Sequence, residues 1–190
     1  SAGEQILEQT SLWGRTIPEG IPVDERFEMS RNGLLFFQQY YRFFPLVIVL
    51  VELAEQTAQN EGPIRLSKFR TVMKGSVEPI RDRIKSWEDE NDVKRKHRKS
   101  TGLPKIEVKN PEYSMKRFLD HYVGRIRQRD GKPISFGNEA AFISYRPIEE
   151  EDECLVQLTP EGRDLVEIGN PLLQSGPENP PLSPEEAEYI

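Results

Sequence analysis

The stretch of sequence that decides the fold runs from Ile64 to Trp87 and reads IRLSKFRTVMKGSVEPIRDRIKSW. Its first three residues have the composition of a short strand, and Ser67 is a residue type that caps helix N-termini. Gly75 and Ser76 interrupt the helical pattern, and glycine readily adopts the backbone conformations of turns. The stretch therefore predicts a short strand and two helices joined by a turn. The expected bounds of the two helices are 68–74 and 76–87.

The second of these predicted helices has one apolar face. Val77, Ile80, Ile84 and Trp87 recur at steps of three and four residues, so they share the inward side of a helix. Pro79 lies in the first turn, where proline is tolerated. The charged side chains of the segment therefore point outward, and they include both basic and acidic residues.

The rest of the chain predicts a single domain with an arm and a tail. Further helices are expected at 46–59, 111–128 and 160–168, and strands at 140–146 and 154–159. Residues 1–29 predict an N-terminal arm, and 30–173 the domain, with 100–146 as an inserted segment. Four prolines among the acidic residues of 174–190 predict a disordered tail.

An apolar run spans residues 43–51, which is too short for a membrane helix because a bilayer needs roughly 20 apolar residues. The run predicts a helix that is buried on several sides. Either the domain core or a partner subunit supplies that burial. Because 34–44 is also rich in large side chains, we expect a homodimer through residues 30–51.

Charge is distributed unevenly along the chain. The net charge is −6, yet 20 of the 26 basic residues lie within 63–133, where only 10 residues are acidic. Residues 134–190 hold 2 basic and 13 acidic residues. A basic middle predicts a surface that binds a polyanion such as nucleic acid. The alternative is a solvated basic face opposite acidic ones.

The order of elements and the motif Leu158-Thr-Pro-Glu-Gly-Arg163 resemble the winged helix-turn-helix superfamily, most closely its MarR-type members and related DNA-binding domains. Residues 64–98 resemble the helix-turn-helix and first wing strand, and 154–168 the second wing strand and closing helix. The chain departs from that pattern in the long insertion between the wing strands and in the acidic segment 149–153, which would repel phosphate. The expected fold class is mainly α with a small antiparallel β-wing.

The resemblance implies that helix 76–87 enters the DNA major groove and that the basic segment 94–99 contacts phosphate. It points to a set of basic and polar residues as the nucleic-acid-binding site. They are Arg65, Lys68, Ser76, Arg81, Arg83, Lys85, Lys94, Arg95, Lys96, Arg98, Lys99, Lys116 and Arg117. Arg125 extends the patch.

Catalytic and metal chemistry find no support in the sequence. His97 and His121 have no further histidine or cysteine at metal-ligand spacing, and Cys154, the single cysteine, begins an apolar strand. We expect no enzyme activity, no cofactor and no metal. With no disulfide possible within the chain and no secretory signal, the expected location is the cytoplasm, near the nucleoid if the chain binds DNA.

Two functions remain open. The first is a DNA-binding protein, either a sequence-specific transcription regulator or a DNA-organising factor, that binds double-stranded DNA. The second is a winged-helix adaptor that mediates protein contacts in a larger DNA-maintenance or defence complex, because a fold does not fix a function. The basic middle of the chain favours the first function, and the acidic segment 149–153 and the insertion favour the second.

Overall fold

The computed structural model describes residues 17–26, 43–149 and 151–190. The predicted fold class is confirmed in its coarse form, since the chain is mainly α-helical with a small antiparallel sheet. The helices are α1 (Phe43–Gln59), α2 (Leu66–Glu90), α3 (Pro111–Phe118), α4 (Phe136–Glu139), α5 (Pro160–Ile168), α6 (Pro171–Ser175) and α7 (Pro184–Tyr189). The strands are β1 (Ile64–Arg65), β2 (Arg125–Ile126), β3 (Pro133–Ile134), β4 (Ile143–Pro147) and β5 (Cys154–Leu158).

Helix α1 lies in the hydrophobic core. All of residues 43–50 are buried within the single chain, where α1 packs against α2, α5 and β5. The prediction that residues 43–50 form part of a dimer surface is therefore wrong, because these side chains are buried by residues of their own chain. Residues 30–42 of that predicted surface lie outside the described residues, and the homodimer itself stays a prediction.

Helix α2 is continuous over 25 residues, so the predicted turn at Gly75 is wrong. The buried residues explain why. Apart from Arg81, they recur at steps of three or four along the whole helix, with no change of phase at Gly75, as Leu66, Phe69, Met73, Val77, Ile80, Ile84 and Glu88. One straight apolar face therefore packs on the core. Its burial outweighs the helix cost of Gly75, about 1 kcal/mol, and of Pro79, about 3 kcal/mol.

The main sheet has the strand order β1-β5-β4 and is antiparallel throughout. Tyr145 and Ile64 both pair with Val156, at the centre of β5. Strands are present at both predicted places, but β4 begins at Ile143, three residues after the start of the predicted 140–146, and β5 ends at Leu158. In the hairpin, β5 pairs with β4. Segment 93–98, where the first wing strand is expected, contains a short 3-10 helix, Arg95–His97. The expected first wing strand in that segment is therefore wrong.

The predicted helix 111–128 ends early. Helix α3 stops at Phe118, a π-helix follows over Leu119–Val123, and β2 then pairs with β3. Gly124 causes the break, because its φ of 113° is one that glycine tolerates. The hydroxyl of Tyr145 donates to the Val123 carbonyl at 2.6 Å, and a Cβ on Gly124 would lie 2.9 Å from that hydroxyl. The insertion thus packs directly on the hairpin.

The predicted disordered tail is also wrong. Helix α6 ends at Ser175, at the start of the tail, and α7 forms within it. Asn170 binds the tail, since its Nδ2 donates to Glu186 at 3.0 Å and to the Pro181 carbonyl at 2.9 Å. Ser183 caps α7 and forms a capping box with Glu186. Glu186 is fully buried, and burial raises the pKa of its carboxyl. The tail is therefore part of the packed domain.

Part of the predicted N-terminal arm is attached to the sheet. Val23 forms a parallel bridge with Leu158 of β5. The Asp24 carboxylate accepts a hydrogen bond from the Ser144 hydroxyl at 2.8 Å. A single bridge therefore attaches the described part of the arm to β5, the central strand of the sheet. Residues 1–16 and 27–29 of the arm lie outside the described residues.

Candidate nucleic-acid interface

Two clefts adjoin on one side of the protein, separated by the loop 102–108. The first, here called the α2 cleft, has a volume of about 1000 Å³ and lies between the second half of α2, residues 95–98 and this loop. The second, the α3 cleft, has a volume of about 960 Å³ and lies between the same loop, α3 and the π-helix. Both clefts are lined by Gly102, Leu103, Lys105 and Val108, so they form one continuous surface.

Basic side chains dominate this surface. The α2 cleft is lined by Arg81, Lys85, Arg95, Lys96, Arg98 and Lys105. The α3 cleft adds Lys109, Lys116, Arg117 and Arg125. Against these ten cations stand three carboxylates, those of Glu107, Asp120 and Glu139. The structure therefore brings together seven of the predicted site residues and Arg125, and it adds Lys105 and Lys109, which sequence reasoning missed.

The inner wall of the α2 cleft is an ordered network of charges. Lys85 Nζ lies 2.8 Å from Asp89 and 3.0 Å from Glu107, and hydrogen bonds to these two carboxylates raise its pKa. Arg98 binds the other oxygen of Asp89 at 2.8 Å. The hydrogen bond from Lys85, followed by that from Arg98, keeps the pKa of Asp89 below its usual value. Asp89 thus holds two cations at the cleft edge.

Arg81 is the buried cation of the α2 cleft. Its side chain is only 8% exposed, and its Nε donates to Asp82 at 2.8 Å. The prediction that Arg81 points outward to read base edges is wrong, because the loop that follows residue 100 folds against this part of α2. A guanidinium has five N–H donors, so most of those of Arg81 remain for another acceptor.

Segment 94–97 supplies the exposed cations. Lys94, Arg95 and Lys96 are exposed, and their charged groups make no ion pair within the part of the chain that the structure describes. A short 3-10 helix holds them at the mouth of the α2 cleft, which Arg95 and Lys96 line. Exposed lysines and arginines of this kind make the phosphate contacts in nucleic-acid complexes.

Lys99 has a structural position and does not belong to the site. Its Nζ donates to the carbonyls of Pro177 and Asn179 at 2.5 and 2.6 Å and lies 4.6 Å from the centre of the Trp87 ring. Burial lowers the pKa of this amine. The prediction that Lys99 binds nucleic acid is therefore wrong, since its donors already bind the C-terminal segment.

The other predicted residues line neither cleft. Arg65 binds Glu151 at 2.6 Å, and Lys68 donates to Asn60. Ser76 lies in the middle of α2, so its predicted role at a helix N-terminus is wrong. Arg83 is exposed on another side of α2.

The acidic hairpin points toward the first turn of α2. Glu151 pairs with Arg65, and Glu153 accepts a hydrogen bond from the Ser67 hydroxyl. These contacts lie outside both clefts. The strongest acidic segment of the chain is thus bound to residues away from the basic surface.

The α3 cleft combines cations with aromatic rings. Asp120 binds Arg70 at 2.8 Å and also Lys116. Burial alone would raise the pKa of Asp120, but the hydrogen bonds from these two cations lower it. His121 stacks on Phe136, with 5.5 Å between ring centres and 10° between planes. Arg70 is not among the predicted site residues, because it lies 50 residues before Asp120 in the sequence and no local pattern links the two.

Three further features of the described residues concern the cysteine thiol, metal binding and membrane spanning. Cys154 is buried, and burial raises the pKa of its thiol to about 12, so the thiolate is not formed near neutral pH. Over 17–26, 43–149 and 151–190, no group of three or more His, Cys, Asp or Glu side chains is arranged to hold a metal ion. Within the same ranges, none of the helices combines the length and the apolar character that crossing a bilayer requires.

No protein-family model matches the chain, and neither the curated proteins nor the solved structures include a significant match.

Proposed function

We propose that the protein binds nucleic acid, in the form of duplex DNA, through the surface that the two clefts form. The observation that supports this proposal is the excess of ten cationic over three anionic side chains among the described residues that line one continuous surface. Asp82 and Asp89, which bind three of these cations from outside the lining, reduce the excess from seven charges to five. Neutralising DNA phosphates releases bound counterions, and this release drives association. Two carboxylates of the acidic hairpin, those of Glu151 and Glu153, are bound near the start of α2, away from the clefts.

The arrangement favours phosphate contact over the reading of bases. Arg81 is buried, Lys85 is held by two carboxylates, and Arg95 and Lys96 are exposed at the cleft mouth. Phosphate contacts position a protein on DNA and carry no sequence information. Of the two DNA-binding roles, we therefore propose a DNA-organising factor in preference to a sequence-specific regulator.

We further propose that the domain is a modified winged helix. The order α1, β1, α2, the β4–β5 hairpin and α5 supports this proposal, with one long helix in place of the two helices and turn. The motif Leu158–Arg163 supports it too, since Thr159 caps α5 by accepting from the Gly162 N–H at 3.0 Å.

The test is a pair of matched double variants. Arg95→Ala/Lys96→Ala removes two exposed charges from the α2 cleft, and Lys68→Ala/Lys74→Ala removes two exposed charges outside both clefts. Fluorescence anisotropy with a duplex at several salt concentrations gives the slope of log K against log salt. Each phosphate contact adds about 0.9 to that slope, so we expect the first variant to reduce it by about 1.8 and the second to leave it unchanged. Equal slopes for the two variants, or no binding by the native chain at low salt, would contradict the proposal.

A second candidate function is the adaptor. Three large apolar side chains are exposed between and beside the clefts: Ile106 at 46%, Val108 at 40% and Tyr113 at 58%. An apolar centre within a polar rim is typical of protein interfaces. A native chain that ignores DNA at low salt, and whose mass by light scattering is that of a monomer, would favour a protein partner with an acidic surface.

A further inference from the structure

The α2 cleft contains a carboxylate in the position where an external anion would bind. Among the described residues that line this cleft, Glu107 is the only acidic one, and its side chain is 73% exposed. One of its oxygens lies 3.0 Å from Lys85 Nζ. Its loop forms no regular helix or strand over 103–110, so little backbone pairing holds Glu107 there.

A buried cation faces the same space with unused donors. The Arg81 side chain is only 8% exposed. Its only hydrogen bond to a described residue runs from Nε to Asp82. The terminal N–H groups of Arg81 can therefore donate to a ligand in the cleft that Arg81 lines. A phosphate oxygen would supply acceptors for two guanidinium N–H groups at once.

The loop that carries Glu107 is fixed at its beginning and exposed further on. The N–H and hydroxyl of Ser100 bind the fully buried carboxylate of Glu88 at 3.0 and 2.6 Å. Leu103 is buried, whereas residues 105–109 are exposed. Hydrogen bonds to a buried carboxylate therefore hold the beginning of the loop, whereas the described hydrogen bonds and ion pairs hold the Glu107 side chain only through Lys85.

We propose that the α2 cleft is a phosphate-binding site, with Arg81 and Lys85 as its inner cations, and that Glu107 competes with phosphate for Lys85. The ligand is a phosphate oxyanion, and its two sources are a phosphate of the DNA backbone and a free oligophosphate. The DNA source rests on the proposed function; the free source does not.

The probe is inorganic tripolyphosphate, titrated into the full chain by calorimetry at low salt. Glu107→Gln removes the competing charge and keeps the shape of the side chain. Because exposed ion pairs contribute about 0.2–1 kcal/mol, we expect it to tighten binding by a factor of about 1.4 to 5. Glu149→Gln is the matched control, since it changes the net charge equally on the acidic hairpin, where Glu149 is exposed. We expect it to leave the affinity unchanged.

A second variant tests the buried cation. Arg81→Lys keeps the charge but loses the paired donors, and we expect binding to weaken about tenfold while the circular dichroism spectrum stays native. Absence of tripolyphosphate binding to the native chain at millimolar concentration overturns the proposal. So do equal affinities of the Glu107→Gln and Glu149→Gln variants.

Competition with duplex DNA separates the two sources and the two proposals. Displacement of DNA by tripolyphosphate supports a backbone phosphate as ligand, and tripolyphosphate binding without displacement supports a free oligophosphate. If tripolyphosphate binds and DNA does not, the proposed function fails and the phosphate site stands. If DNA binds and tripolyphosphate does not, the phosphate site fails and the proposed function stands.

Discussion

Replacing Gly75 by alanine distinguishes one continuous helix from two helices joined by a turn. Gly75 lies within α2, and a Cβ built on it meets no atom within 4 Å. Alanine is favoured over glycine inside a helix by about 0.5–1 kcal/mol. Because nothing blocks the new methyl group, we expect Gly75→Ala to stabilise the protein by that amount. For a chain of this size the gain corresponds to a rise in Tm of roughly 2–4 °C per kcal/mol.

The assay is thermal and urea unfolding followed by circular dichroism. A change in the urea midpoint with an unchanged slope shows a change in stability alone. Gly124→Ala is the opposite control: its φ is 113° and the new methyl group would lie 2.9 Å from the Tyr145 hydroxyl, so we expect a loss of more than about 1 kcal/mol. A loss of stability in Gly75→Ala would refute the continuous helix, because a turn that needs glycine in the left-handed region penalises alanine.

Two further predictions concern buried titratable groups. Since burial raises the pKa of Glu186 above its ordinary 4.5, the folded state holds the proton more tightly, and stability declines as pH rises from about 4.5 through the folded pKa. Glu186→Gln should flatten this decline in Tm between pH 4.5 and 7; an unchanged slope would argue against it. Cys154, whose pKa burial raises to about 12, should resist an aromatic disulfide reagent at pH 8 until urea unfolds the chain, and rapid labelling of the native protein would contradict its burial.

Local signals in the sequence predict most of the elements. Gly62-Pro63 follows the end of α1, Thr159 caps α5, and alternating apolar residues identify β4 and β5. The prediction of a turn at Gly75 is wrong because the phase of the apolar residues along α2 outweighs the local propensity of glycine for turns. Leu66 to Ile84 keep one phase, and a helix-turn-helix would need two faces at an angle.

The prediction of a disordered tail is wrong for a similar reason. Its proline content suggested disorder, yet Pro184 follows a serine and precedes Glu186 by two positions, the pattern of a capped helix start. The candidate site was only partly predictable. The basic middle of the chain indicated it, but the burial of Arg81 depends on loop 102–108 folding against α2, which no local pattern encodes.

The position of α1 in the fold has a consequence for synthesis. Its apolar surface packs against β5 and α5, and β1 pairs with β5, so these partners lie about 100 residues further along the chain. At roughly 5–20 residues per second, a ribosome needs about 5–20 s to deliver them after α1 has emerged. During that interval the residues Phe43–Leu50 are without their final neighbours, which makes the nascent chain a substrate for chaperones that bind apolar segments.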